Sequence, residues 1–470
     1  MTKRRDFIKK SVLGSAGIAI GGMGFSSRSY ASIMGANDRI GVAVIGIRNQ
    51  GSFHIENYCK LKDSHNIMLK TICDTEEQLF DSRSKMVFDK FGVKPLTEWD
   101  LHKVLADKEI DAVSIVTPNH WHALATIWAC QAGKHVYVEK PASFNILEGR
   151  RMVEAARKYN RRVQVGLNNR SSANVIEAIK FLHDGGIGDI YMARGLCYKF
   201  RDSYGMAKDS EPPASLHYDR WLGPAPLRPY NEKRSHYNWH WYWDTGNGDT
   251  GNTGPHQLDI ARWGLNKNEH PVSVFSSGGL YGFNKNESTP EKKTPGVMAY
   301  GDVETYGMDK TSQQTPNIQS SLFKYKDGTM LEFETRGRFT NHEGSKGNEV
   351  GNLFYGSEGY LEIYGDTWKA FRKREKEPFA GSKPGEMIET DNHYTNFLDA
   401  IRSGKDNMLR CDVNEGVLSS DLPHLANISY LLKRELEFNG ATEKFVNDPE
   451  ADAMVTRKEY RKPYIVPDIV

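Results

Sequence analysis

Two short stretches hold side chains suited to moving a proton on and off a carbinol. The first is Glu139-Lys140-Pro141, which directly follows the apolar run His135 to Val138. A residue just past a strand of a parallel sheet faces the crevice in which such sheets bind ligands. An ammonium there can hydrogen-bond a hydroxyl and steady the alkoxide that forms while hydride leaves its carbon. Pro141 fixes the turn and with it the position of Lys140. The second stretch, Gly246 to Trp263, contains Asn252, His256 and Asp259. Asn252 and His256 are four residues apart at a helix start, so they are expected to share one face. His256 is the candidate general base, because imidazole titrates near neutrality. Asp259 is expected either to orient that imidazole or to cap a structural hydrogen bond. A buried structural His–Asp pair is the competing expectation.

Hydride chemistry needs a carrier, and the N-terminal third offers a place for one. Ile40 to Gly46 is an apolar run of strand length. It ends in Gly46-Ile47-Arg48-Asn49-Gln50-Gly51, and a helix-like stretch from Ser52 to Leu61 follows. Strand, glycine turn and helix are the context that a dinucleotide fingerprint requires. Gly46 serves the tight turn, Gly51 lets helix and strand approach, and the first helical amides face a pyrophosphate. Arg48 replaces the middle glycine, so its side chain either points away from the phosphates or folds over them as an added cation. The next strand, Ile67 to Cys73, ends at Asp74, 23 residues beyond Gly51 (74 − 51). That is close to the ~20-residue offset of the acid that binds the ribose hydroxyls. A carboxylate there repels a 2′-phosphate, which predicts NAD over NADP.

These residues need a frame. Thr97 to Ala106 reads as a helix opening on a Thr cap. Ala112 to Val116 reads as a buried strand, Ala123 to Ala132 as a helix closed by Gly133, and His135 to Val138 as a strand. Ile146 to Tyr159 reads as a helix and Arg162 to Val165 as a strand. The alternation predicts a doubly wound parallel sheet. After Asn168 the chain is strand-like and turn-rich, as at Lys326-Asp327-Gly328 between two apolar runs. There is no internal repeat.

Composition narrows the function classes. A chain of 470 residues predicts two domains. Its 62 basic and 60 acidic residues leave +2, which argues against a nucleic-acid partner. Aromatics at 11% can anchor a core, so the chain is not read as disordered. Five cysteines without a CxxC pair indicate neither a disulfide framework nor a zinc ribbon. The histidines around His120 and His240 lack HExxH or Cys/His spacing, so no metal is expected. Past the N-terminus no window has the ~18 apolar residues of a membrane span. The start itself, Arg4-Arg5-Asp6-Phe7-Ile8-Lys9 followed by an uncharged run from Ser11 to Phe25, resembles a twin-arginine export signal. Ser29-Tyr30-Ala31 is placed to serve as its cleavage site. This divides the chain into a signal segment (1–35), a nucleotide-binding domain (36–167) and a substrate and oligomerisation domain (168–470). It predicts a periplasmic or otherwise exported protein whose partner is the twin-arginine export machinery. Free NAD is scarce outside the cytoplasm, so the cofactor is expected to be tightly bound.

One stretch is specific enough to name a family. Thr117-Pro118-Asn119-His120-Trp121-His122, followed by Ala132-Gly133-Lys134-His135-Val136-Tyr137-Val138-Glu139-Lys140-Pro141-Ala142, resembles the TPN-x-x-H … AGKHV-x-x-EKP-x-A signature of the Gfo/Idh/MocA oxidoreductases. The likeness continues through Gly356 to Ile363, His393 to Ile401 and Ala426 to Tyr430, covering roughly residues 38 to 435. It implies an α/β protein: an N-terminal Rossmann doubly wound parallel sheet and a C-terminal α/β domain with a large, mostly antiparallel sheet. In the family that sheet usually serves oligomerisation, so a homo-oligomer is implied. Lys140 corresponds to the family's active-site lysine. Gly46, Arg48, Gly51, Asp74, Thr117, Pro118, Asn119, His122, Glu139 and Lys140 would line the cofactor, with His122 near the nicotinamide and Asn119 helping to seat it. His256 and Asp259 match the family pattern D-x-G-x-H-x-x-D, whereas Asn252 stands where dehydrogenases of the family commonly have Asp. The exchange removes a negative charge and should leave the histidine less basic.

Arg170, near the domain junction, is a candidate substrate contact. Trp239, Trp241 and Trp243 alternate, so a strand would set all three on one face. Indole faces suit the C–H surfaces of a sugar, and an aromatic core or subunit interface explains the same pattern. The reading is an exported oxidoreductase that transfers hydride between tightly bound NAD and a sugar or glycoside hydroxyl. One alternative is a redox-neutral, NAD-dependent glycoside-cleaving enzyme working by oxidation, elimination and reduction. Gly254 to Asp259 follows the dehydrogenase form of its motif rather than the H-G-L-G-P form of those glycosidases. A non-catalytic, nucleotide-retaining binding protein is the third reading.

Overall fold

Strand β1 (Ile40–Ile45) is buried along its whole length, as a parallel strand covered on both faces must be. The computed structural model that shows this describes residues 38–201, 204–281, 305–306, 311–338, 350–365, 367–382 and 392–470. Residues 1–37, on which the expectation of an export signal falls, lie outside the described residues. Helix α1 (Asn49–Lys60) leads to β2 (Ile67–Cys73), and α2 (Phe80–Phe91) to β3 (Leu96–Glu98). Then α3 (Leu101–Ala106), β4 (Ala112–Ile115), α4 (Asn119–Gln131), β5 (His135–Val138), α5 (Ile146–Lys158) and β6 (Val163–Val165) follow. The strands form one sheet in the order β3-β2-β1-β4-β5-β6, all parallel. The order reverses between β1 and β4, and ligands of such sheets bind outside the carboxyl ends of the strands at that point. Gly46, Thr117 and Lys140 all lie there.

The helix expected from Thr97 to Ala106 is split. Leu96–Glu98 pairs with β2 as an edge strand, and the helix begins only at Leu101. Asp100 is the cap that starts it, its side chain accepting from the His102 N–H, and Thr97 is spent in the strand.

The second domain contributes α6 (Ala173–His183), β7 (Ile190–Cys197), α7 (Tyr218–Leu222), α8 (Gly248–Asn252), α9 (Gly254–Gly264) and β8 (Ser273–Tyr281). Strands β9 (Thr305–Tyr306), β10 (Ile318–Lys324), β11 (Met330–Arg336), β12 (Val350–Gly356), β13 (Gly359–Tyr364), β14 (Thr367–Arg372) and β15 (Ala380–Gly381) come next. Helices α10 (His393–Ser403) and α11 (Val413–Leu432) and strands β16 (Leu436–Asn439) and β17 (Lys444–Phe445) complete it. The sheet runs β15-β14-β13-β12-β7-β11-β10-β8-β16-β17, with β9 on β8. Among the described residues only β7/β11 and β8/β9 pair in parallel, so the sheet is mostly antiparallel as expected. Period-two burial marks its faces. In β10, Gln319, Ser321 and Phe323 are buried and Ser320, Leu322 and Lys324 exposed. Helices α9 and α11 cover the buried face, where Leu258, Leu425, Phe333 and Phe354 share one core.

The chain does not leave the first domain for good at residue 167. Tyr394, Phe397 and Leu398 of α10 complete the core on one face of the first sheet, and Tyr394 stacks on Tyr137 at 4.9 Å. Cys411, Val413, Val417, Tyr464 and Val466 join the core on the other. A contiguous boundary at 167/168 therefore describes the sequence, while the C-terminal segments return to cover the first sheet. All five cysteines are free and buried, and no helix among the described residues is long and apolar enough to cross a membrane.

Candidate active site

A cavity of about 610 Å³ runs along the carboxyl ends of β1, β4 and β5 and is closed from the second domain by segments around Lys199, Tyr237 and Asn252. Its first end is built by the glycine turn. Gly46 has φ +84°, and a Cβ on it would lie 2.5 Å from the Val116 carbonyl oxygen. A Cβ on Gly51 would lie 1.9 Å from the Gly46 carbonyl oxygen. Both positions therefore demand glycine, and both leave backbone open to the cavity. Arg48 caps α1 at φ −73°, a backbone that any residue adopts, which explains how the middle glycine is lost. Its guanidinium pairs with Glu76 at the cavity wall. Asp74 accepts from the backbone N–H groups of Ile47 (2.8 Å) and Glu76 (3.0 Å). Burial nevertheless pushes its carboxyl up to about 6. Below that pH it is protonated and repels a 2′-phosphate less. Discrimination between NAD and NADP is therefore expected to narrow as pH falls through about 6, as the two dissociation constants measured from pH 5 to 8 would register. A ratio that does not change would remove Asp74 from the choice of nucleotide.

Thr117 lines this cavity, and its buried hydroxyl oxygen has no protein partner among the described residues. Pro118 precedes α4. Asn119 is committed elsewhere: its side-chain amide donates to Asn247 Oδ1 at 2.9 Å, tying the two domains together. His122 braces two strand ends, with Nδ1 2.6 Å from the Pro141 carbonyl and Nε2 2.8 Å from that of Thr117. Burial lowers its pKa. The Lys140–Pro141 peptide is cis.

Glu139 lies beneath the reacting end. Its carboxylate meets His54 Nε2 (3.0 Å), Gln50 Nε2 (3.2 Å) and the Lys140 N–H (3.1 Å). Burial would raise its pKa, but the His54 contact and the Lys140 charge outweigh that and hold it at about 2. A Cβ on Gly166 would strike this carboxylate at 2.9 Å, which explains the glycine there. Lys140 Nζ donates to the backbone oxygen of Asn252 (2.8 Å) and to its Oδ1 (3.1 Å). Burial, with the charges of Lys199 and Arg201, lowers the Lys140 pKa from its ordinary 10.5.

The second cluster differs from its sequence reading in three ways. Asn252 and His256 both line the cavity but belong to two successive helices, α8 ending at Asn252 and α9 starting at Gly254. Asn252 binds Lys140 instead. His256 does not titrate near neutrality. Burial first and the Lys140 charge second push it down to about 3, and its buried Nδ1 has no protein partner. Asp259 does not orient it. Its carboxylate receives Arg170 Nε (2.8 Å) and Nη2 (2.8 Å) and the Ser419 hydroxyl (2.6 Å). The structural alternative for Asp259 is therefore the one realised.

Replacing Asn252 by Asp puts a carboxylate against the Lys140 ammonium. That raises the Lys140 pKa and offsets the charge that depresses His256, so both shift the same way. The ascending limb of the pH–rate profile is expected to move to higher pH in Asn252→Asp, by about one unit or more. Superimposable profiles would show that residue 252 does not tune the site.

Arg170 is likewise spent on Asp259 and does not line the cavity. The three tryptophans do not form a strand face. Asn238–Trp241 is a 3₁₀ turn, closed by i→i+3 bonds and by the Thr245 hydroxyl on the Trp239 carbonyl at 2.8 Å. With no strand beside it, the alternation carries no common face. Trp239 lines the cavity and stacks on His240 at 3.6 Å, while Trp241 and Trp243 are buried in packing. Motif reading missed Lys199, Tyr237, His240 and the Arg201–Asp249 pair. The last spans 48 positions, and no short-range signal marks it.

A 3-2-1-4-5-6 parallel sheet, a glycine turn at its switch point, an acid ending β2 and a lysine facing a second domain make up a two-domain protein with a dinucleotide-binding Rossmann fold. Residues 40–167 match the oxidoreductase family's NAD-binding Rossmann fold, and residues 189–278 match that family's C-terminal alpha/beta domain. Over both stretches the chain is similar to the Gfo/Idh/MocA oxidoreductase family. It is 28% identical over 203 residues to a glycosyl hydrolase family 109 protein of Shewanella pealeana, covering 40% of this chain and 44% of that protein. It is 29% identical over 153 residues to myo-inositol 2-dehydrogenase of Thermotoga maritima, covering 33% and 43%. The chain thus matches less than half the length of these curated relatives. The fold is that of the WlbA dehydrogenase of Bordetella pertussis, solved with NADH and UDP-GlcNAcA (TM-score 0.59, 19% identity, 85% of this chain and 99% of that one).

Proposed function

We propose that the protein transfers hydride between a tightly held NAD and a hydroxyl-bearing carbon of a sugar or glycoside. The observation that carries this is the Lys140 ammonium, held by neutral oxygens of Asn252 in the cavity that His256 also lines. The glycine cradle and the unpartnered Thr117 hydroxyl fit a dinucleotide. Gly46, Gly51 and Thr117 would hold its phosphates and nicotinamide side, and Asp74 its ribose. When bound, NAD supplies the hydride acceptor. Lys140, whose pKa burial lowers, takes the hydroxyl proton in its deprotonated amine form and becomes the ammonium that Asn252 holds. His256, neutral above about pH 3, holds the hydroxyl by a hydrogen bond to its imidazole. Glu139, fixed as an anion, keeps the Lys140 backbone in place. The inositol dehydrogenase relative and the sugar-nucleotide complex of the structural neighbour support a polyhydroxylated substrate.

The Shewanella relatives favour a second reading, a redox-neutral cycle that cleaves a glycoside and returns the hydride. One experiment separates the two. The purified protein is extracted for nucleotide and then given a panel of aryl glycosides and free sugars. Bound NAD or NADH with net NADH formation supports transfer, and aglycone release without net NADH supports cleavage. Neither activity across the panel would sink both.

Export is part of the proposal and rests on Arg4-Arg5. Replacing both by lysine is expected to leave the protein in the cytoplasm, and unchanged delivery would overturn the assignment. A homo-oligomer is proposed on the open face of the second sheet. There Phe275 and Leu322 are paired in register and both stand exposed; a monomeric mass by light scattering would refute it.

A further inference from the structure

The cavity's charges are unevenly matched. Toward the ribose end, Arg48 pairs with Glu76 and Arg220 lies 3.6 Å from Asp100. At the reacting end Arg201 is matched too, with its Nη2 3.0 Å from Asp249 Oδ1. Two ammonium groups are left over. Lys140 is met by a carbonyl and an amide oxygen of Asn252, neither of which carries charge. Lys199, two residues past β7, lines the same cavity, is exposed, and has no acidic partner among the described residues. The carboxylates nearby are engaged already: Glu139 from beneath by His54, Gln50 and the Lys140 N–H, Asp249 by Arg201, and Asp259 by Arg170. The charge of Lys199 reaches both Lys140 and His256, which places it at the reacting end rather than beside the glycine turn.

From this arrangement we infer that the sugar substrate is anionic and that Lys199 holds its carboxylate or sulfate group. The inference rests on the reading of the site as a sugar-oxidising one and adds the substrate class. An unpaired ammonium at the wall of a partly enclosed cavity attracts an anion strongly, because the cavity focuses its field. A charge-assisted hydrogen bond there is about twice as strong as a neutral one. Trp239 and Tyr237, on the same wall, offer ring faces to the pyranose C–H surface.

The test uses the full chain loaded with NAD. Matched probes are the methyl glycosides of glucose, galactose and mannose, their uronic acids and their 6-sulfates, and both binding and NADH formation are measured. At least one anionic probe is expected to bind about tenfold or more tightly than its neutral partner. The preference should shrink as salt is raised and vanish in Lys199→Gln, and whether the uronate or the sulfate wins identifies the group. Equal binding of neutral and anionic partners, or a preference that survives Lys199→Gln, overturns the inference while leaving sugar oxidation standing. Preferential anion binding without NADH formation does the reverse. Loss of bound NAD in Lys199→Gln would assign the lysine to the cofactor and overturn the inference as well.

Discussion

Asp259→Ala is expected to destabilise the folded protein by about 3–5 kcal/mol, the scale for breaking one side of a buried ion pair. Asp259 and Arg170 are both buried, and three guanidinium contacts of 2.8–3.0 Å join them. Ser419 fills the same carboxylate and also accepts from Arg262, whose other contacts are Glu415 and the Lys267 carbonyl. This knot joins the turn after β6, helix α9 and helix α11, so it holds the His256 segment against the first domain. Removing the carboxylate leaves Arg170 charged in a dry site with only Glu415, at 3.2 Å, as an acid partner. The sign with pH follows. Burial would raise the Asp259 pKa, but the charge and hydrogen bonds of Arg170 outweigh it and hold the group below its ordinary 3.8. Its contribution is therefore complete above the ordinary carboxylate range and is lost as pH falls through the folded value. Thermal unfolding at pH 7 should show a large drop in Tm, and the wild type should lose more stability than the variant on acidification below about pH 4. A Tm within about 2 °C of wild type would show that the knot is not a stabilising element.

The first domain was legible because its signals are local. Gly46 and Gly51 are dictated by contacts within the turn and with the neighbouring strand, and apolar runs such as Ile40 to Ile45 can only be buried strands. Lys140 was found because strand-end position and motif agree. The partners of Asp259 were not legible, since Arg170 is 89 positions away and Ser419 160. A motif spacing names residues that sit together in one segment, and it does not say which neighbour each side chain chooses. Asn252 shows this: read as the companion of His256, it accepts from a lysine 112 positions earlier. The tryptophan alternation failed for a related reason. Period two has meaning only where a second strand lies alongside, and residues 238–241 have none.

Lys140→Ala and His256→Ala are each expected to keep the fold and bound NAD and to lose about 10²-fold or more in turnover, the usual scale for a positioned acid or base. Their pH profiles should differ. His256 is neutral from about pH 3 upward, so its titration cannot produce a limb in the working range. Lys140 is buried near two other cations, which brings its pKa down from 10.5 and makes it the group able to lose a proton as pH rises. The ascending limb of kcat/KM should therefore survive, at reduced height, in His256→Ala and disappear in Lys140→Ala. His256→Ala should act mainly through a hydrogen bond to the reacting hydroxyl, and a small amine added to Lys140→Ala should restore part of the rate by occupying the vacated site beside Asn252. A limb that vanishes with His256 and persists without Lys140 would reverse the two roles. Near-normal turnover in either variant would remove that residue from the chemistry.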